Sequence, residues 1–187
     1  MTTHDKARPD SFQPWKILDT RELFSIPNRL LVAMHTVELP DSRRIDDYLQ
    51  LRLGDFVLIF AETAADEIIC LRQYRHGVRQ TSLELVAGGI DPGEDPATTA
   101  PRELLEETGY GSTEWSLLGK AAVSVAQGIG TAHFFRARGA SKLQEPCSDD
   151  LEEAILEFLT REQLIAAVHN GEVIATSHLA AIALALL

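Results

Sequence analysis

Cysteine is scarce in this chain of 187 residues: Cys70 and Cys147 are the whole supply. Two distant thiols exclude a disulfide scaffold and a cysteine-rich zinc site. Cys70 lies within Ile68-Ile69-Cys70-Leu71 and reads as a small buried side chain. The shortage fits a reducing, cytoplasmic setting. Long apolar runs are also missing. None approaches the roughly 20 residues that cross a bilayer, and the longest, 179–187, follows Thr176-Ser177-His178 and reads as a buried terminal helix. Residues 1–10 offer no apolar stretch of the secretory kind, so no membrane partner is expected. Basic residues are the third shortage: 17 Lys and Arg face 28 Asp and Glu, a net charge of −11, which disfavours nucleic acid as a partner.

What is present is an ordinary globular composition, 45% hydrophobic and 24% charged, long enough for one well-buried core. The acidic excess is concentrated. Asp91, Glu94, Asp95, Glu103, Glu106 and Glu107 stand against one base, Arg102. Glu145, Asp149, Asp150, Glu152 and Glu153 stand against none. Such runs are most often solvated surface. The sharper reading is that one or both clusters converge on divalent cations, which cancel the repulsion.

Residues 1–12 read as a loose polar leader, and 13–54 as N-terminal strands broken at Pro27-Asn28 and at Pro40-Asp41-Ser42. The domain proper runs over 55–187. The apolar runs 55–61 and 68–75 predict central strands, with further strands at 82–86, 115–122, 133–138 and 154–159. Asp95-Pro96 supplies an N-cap and first-turn proline, and Gly109 a helix stop. Two helices, 161–170 and 177–187, close the chain. The alternation predicts an α/β domain whose mixed sheet lies between helices.

The stretch 88–110, GGIDPGEDPATTAPRELLEETGY, carries the chemistry. On a helix, Glu103, Glu106 and Glu107 share one face, an arrangement that destabilises a bare helix. Gly88-Gly89 lets backbone approach that face closely, so a carbonyl near Ala87 can join the carboxylates. Hard cations such as Mg²⁺ favour such oxygen sets. Pro101 leaves two geometries open: an internal proline that deprives the Ala97 carbonyl of its donor, or a helix that begins at Pro101.

Gly88, five residues, Glu94, seven residues, then Arg102-Glu103-Leu104-x-Glu106-Glu107-x-Gly109-Tyr110 matches the Nudix box at every defined position. The chain thus resembles the Nudix hydrolases. LRQYRHGV, LELVAGG and GEVIATSHLAAIALALL look like the branch that cleaves ADP-ribose and related nucleotide sugars. The resemblance implies an α/β/α sandwich with a mixed sheet, preceded by antiparallel strands that take part in a homodimer. It implies Mg²⁺ or Mn²⁺ held by Ala87, Glu103, Glu106 and Glu107, with Arg102 and Gly109 structural within the box.

The activity implied is hydrolysis of a nucleoside diphosphate sugar, ADP-ribose first, to AMP and ribose 5-phosphate. GDP-mannose or a dinucleoside polyphosphate is the alternative substrate, and a non-catalytic nucleotide-sugar sensor the alternative class. The water's base would be Asp150 or Glu152 in the second acidic cluster, or else Glu106 or Glu107. Arg75 matches an arginine that contacts phosphate, and Glu84 and Gly88 lie where relatives meet substrate. Trp15 and Phe24 offer stacking surfaces for a base, although strand aromatics are more often core. His76 and His133 read as structural. ADP-ribose-specific relatives carry a proline soon after the box; here none falls between Pro101 and Pro146.

Overall fold

The computed structural model describes residues 13–147 and 153–187. They form two compact units divided between Leu53 and Gly54. The first is an antiparallel sheet of β1 (Lys16–Ile26), β2 (Leu30–Glu38) and β3 (Arg44–Leu53), in that order. Its turns use left-handed residues, Asn28 at φ 59° and Ser42 at φ 67°, where short polar side chains tolerate the conformation. Every residue of β1 is exposed, the apolar Ile17, Leu23, Phe24 and Ile26 included.

The second unit, Gly54–Leu187, holds a seven-stranded mixed sheet. Its strands are β4 (Phe56–Thr63), β5 (Ile68–Arg75), β6 (Gln80–Gly89), β7 (Tyr110–Gly111), β8 (Glu114–Ala122), β9 (Thr131–Lys142) and β10 (Ala154–Leu159). Its helices are α1 (Pro96–Thr108), α2 (Arg161–His169) and α3 (Thr176–Leu186). The strand order is β10-β5-β6-β4-β9-β7, with β8 on β9, and the β4–β9 pairing is parallel. Continuously apolar β4 is flanked by β6 and β9, as a strand covered on both faces should be.

Alternation along β4 divides the core. Val57 and Ile59 pack with Ala100 and Leu104 of α1, while Leu58 and Phe60 pack with Leu164 of α2 and with Ala181, Ile182 and Ala185 of α3. The sheet is therefore sandwiched between helices, as the resemblance implies. Strand β6 is longer than the sequence suggests, because it changes partners midway. Residues 80–85 pair with β5, and 86–89 pair with β4. Near the exchange, the Leu83 N–H donates to the Glu172 carbonyl (2.9 Å) and the Leu85 N–H to His178 Nδ1 (3.0 Å). A helix side chain thus does part of the work of a neighbouring strand.

Helix α1 runs unbroken from Pro96 through Pro101, which settles the two geometries in favour of an internal proline. Losing the donor to the Ala97 carbonyl costs about 3 kcal/mol. Full burial of Ala100 and Leu104 on either side of the position where helix and sheet meet offsets that cost. Asp95 caps the start through its carboxylate to the Ala97 N–H (2.7 Å), and Gly109 at φ 75° ends it.

Candidate active site

Helix α1 lays Glu103 directly over Gly88. A Cβ on Gly88 would fall 1.9 Å from the Glu103 carboxyl carbon and 2.2 Å from its Oε2. With the Glu103 side chain in this position only glycine fits, so the box glycine and the first box glutamate are one packed unit. Arg102 Nη1 sits between two carboxylates, 2.8 Å from Glu103 Oε1 and 2.9 Å from Glu106 Oε2. The same guanidinium is gripped from its other side by Glu94, Nε to Oε1 at 3.1 Å and Nη2 to Oε2 at 3.0 Å. That fork holds the Glu94 carboxyl down at about 2, and the surrounding carboxylates raise Arg102 further above its already high value. Glu107 buries Oε2, which meets no hydrogen-bond donor among the described residues, although the residue has interactions elsewhere. Ala87 packs its methyl against the cluster on the opposite face of the sheet.

Among the described residues, no three acidic, histidine or cysteine side chains already converge as a metal cage. The Arg102 guanidinium stands between Glu103 and Glu106 as a cation would. The donor set nevertheless suits a hard dication, since every ligating group is oxygen and Glu103 is fixed by the glycine cradle. Arg102 can give up both carboxylates while Glu94 still holds it through two nitrogens.

The helix end ties this site to the second acidic cluster. The Gly109 carbonyl accepts from Leu143 N (2.8 Å) and Gln144 N (3.2 Å), and the Glu106 carbonyl accepts from Cys147 N (2.9 Å). Asp150 and Glu152 lie outside the described residues. At the far side of that gap, Ala154 begins β10 opposite Gln73.

A second polar group sits further back on β6. Glu84 shares the α1 face with Val86 and Gly88, and is almost fully buried. Arg75 binds it through Nε at 3.1 Å to both oxygens and through Nη2 at 2.6 Å. Gln73 Nε2 lies 3.4 Å and His178 Nε2 3.5 Å from Oε2. Burial pushes the Glu84 carboxyl up, but Arg75 and His178 outweigh it and hold the group below the usual carboxylate range. Burial pushes His178 down to about 4, against the pull of Glu84. At neutral pH the imidazole is therefore uncharged, and its Nδ1 accepts from Leu85. Arg75 is the charge that answers Glu84.

Trp15 belongs to the first unit, where it meets Tyr48 edge-on at 5.8 Å, and Phe24 is exposed there. His76 touches the ring of Tyr74. Cys70 is fully buried, which raises its thiol to about 12 and leaves it inert. Two residues, His178 and Lys120, escaped the sequence reading, in which His133 reads as structural. His178 joins Glu84 across half the chain length, and Lys120 and His133 line a cavity beside β9. No local pattern marks them; strand register and the fold of α3 bring them in.

This arrangement agrees with known proteins. Residues 51–177 match the model of the NUDIX domain. The chain is 31% identical over 141 residues to the methanol dehydrogenase activator of Bacillus methanolicus, covering 75% of each protein. It is 31% identical over 138 residues to the ADP-ribose pyrophosphatase of Bacillus subtilis strain 168, covering 73% of this chain and 74% of that one. A crystal structure of an ADP compounds hydrolase superposes with a TM-score of 0.79 over 94% of both chains at 21% identity, a likeness of fold. The chain belongs to the NUDIX family and is a Nudix hydrolase. Among the described residues, no helix is long and apolar enough to cross a membrane.

Proposed function

We propose that the protein hydrolyses the diphosphate bond of nucleoside diphosphate sugars, with ADP-ribose as the leading substrate, in a reaction that depends on Mg²⁺ or Mn²⁺. The observation that carries this reading is the Glu103 carboxylate seated on Gly88, with Glu106 brought beside it through Arg102. The similarity to the B. subtilis ADP-ribose pyrophosphatase supports the choice of substrate. Glu103, Glu106, Glu107 and the Ala87 carbonyl would hold the cations. Bound there, the cations would supply neutralisation of the diphosphate and acidification of the attacking water.

The protein's own groups do the rest. Arg75, held by Glu84 through Nε and Nη2, would direct the charge of its guanidinium toward a phosphate oxygen. A carboxylate takes the water's proton as the water oxygen bonds to phosphorus and the bridging P–O bond breaks, giving AMP and ribose 5-phosphate. Asp150 and Glu152 are the leading bases, because the segment that precedes them is bonded to the Glu106 carbonyl at Cys147. Glu106 and Glu107 are the alternatives. The exposed apolar residues of β1 support a homodimer formed through residues 13–54, which sedimentation of the full chain tests.

The deciding experiment incubates the protein with Mg²⁺ and ADP-ribose, GDP-mannose or a dinucleoside polyphosphate in ¹⁸O-labelled water, and weighs the products. AMP and ribose 5-phosphate from ADP-ribose, lost in Glu106→Gln, is the expected result. Saturable heat of binding without AMP would instead make the protein a sensor.

A further inference from the structure

Strand register carries the α1 face sideways from the acidic site. Gly88 pairs with Val57, Val57 with His133, and His133 with Lys120, so these four form one row across β6, β4, β9 and β8. Val57 packs beneath α1 and Gly88 faces Glu103, which fixes the row on the helix side of the sheet. With strands about 4.8 Å apart, His133 stands about 10 Å from Gly88 and Lys120 about 14 Å.

The row ends at a cavity of about 380 Å³, lined by Asp55, Lys120, Ala121, Ala122, Thr131 and His133. Its wall is tied to the box, since the Asp55 carbonyl accepts from the N–H of Ile90 (3.0 Å), the residue after Gly88-Gly89. Asp55 Oδ1 accepts from Thr131 N (2.8 Å), which fixes one oxygen of the carboxylate at the cavity wall.

Two of the polar groups here are uncommitted. Arg72, Arg75, Arg102 and Arg136 each clasp a carboxylate, whereas among the described residues Lys120 and His133 give their side chains to no hydrogen bond or ion pair. An ammonium, an imidazole, a hydroxyl and a carboxylate together provide both donors and acceptors, as a ring of hydroxyls requires. A further phosphate would meet the charge of Asp55. The volume lies at the small end of the roughly 300–1,000 Å³ usual for ligand sites, enough for one sugar ring.

We propose that this cavity is the subsite for the sugar carried by the diphosphate, with Lys120 and His133 as its specificity residues; this rests on the hydrolase reading above. The diphosphate at the carboxylates and the sugar two to three strands away would lie along a single face.

The test compares ADP-ribose as substrate with ADP as competitive inhibitor, on the full chain with Mg²⁺. Lys120→Gln and, separately, His133→Gln are expected to raise KM for ADP-ribose about tenfold, the worth of one charge-assisted hydrogen bond. The inhibition constant of ADP, which has no sugar beyond the diphosphate, should move less than twofold. Equal weakening of ADP and ADP-ribose would place the nucleotide here and overturn the assignment, as would unchanged constants for both. A wild-type protein that cleaves no nucleoside diphosphate sugar would fail the hydrolase reading itself, and the subsite with it.

Discussion

Gly88→Ala puts the centre of the site under direct strain. Its new methyl would stand 1.9 Å from the Glu103 carboxyl carbon, so that group must retreat by about 1.5 Å to reach ordinary contact at 3.4 Å. The retreat is cheap for the fold, because the obstacle is the tip of a flexible side chain and Gly88 does not use a left-handed backbone. Stability should fall by no more than about 1 kcal/mol, a shift of a few degrees in Tm. Activity should suffer far more, since a misplacement of about 1 Å at a reacting centre costs on the order of a hundredfold in rate, or about 2.7 kcal/mol. Gly89→Ala is the control, because a Cβ there meets nothing within 4 Å. The assay is the initial rate of AMP release from ADP-ribose at saturating Mg²⁺, alongside thermal melts of both variants. If Gly88→Ala matched Gly89→Ala in rate, the seating of Glu103 on this glycine would have no catalytic meaning.

Glu94→Gln should remove the carboxylate that competes for Arg102 and so tighten its hold on Glu103 and Glu106, raising the Mg²⁺ concentration for half-maximal rate several-fold; an unchanged metal titration would show that Glu94 does not weaken that hold. Gly109→Ala places a methyl 2.1 Å from the Gln144 carbonyl oxygen at φ 75°, and should cost about 2 kcal/mol or more, read as a Tm drop of at least about 5 °C. His178 titrates at about 4 when folded and near 6.5 when unfolded, so the unfolded chain binds the extra proton and stability falls as pH drops from about 6.5 to about 4. That loss is of order 3 kcal/mol, and melts of His178→Gln over the same range should lack it. Asp150→Asn or Glu152→Gln should lower kcat far more than it raises KM; if both keep the wild-type rate, the base is Glu106 or Glu107.

Local signals were readable and distant ones were not. Asp95, Pro96 and Gly109 announce the ends of α1 because caps act within one turn. Gly88 and Glu103 belong to one motif, so their close approach was expected. Pro101 left the helix start open, since burial of Ala100 and Leu104 decides it and burial is a tertiary quantity. The length of β6 was underestimated because two different strands share it, which no single pattern of alternation encodes. The setting of His133 is equally hidden from local pattern. Its pairing with Lys120 follows an irregularity in β8 between Leu117 and Gly119, which resets which side chains share a face.

The bond from Leu85 to His178 gives the chain an order of assembly. Until residues 172–178 have emerged and docked, the N–H groups of Leu83 and Leu85 lack their acceptors, on the very strand that carries Gly88. During synthesis the box helix would be complete long before its platform is locked. The platform under the hydrolytic apparatus is thus set only when α3 docks, well after α1 itself has been made.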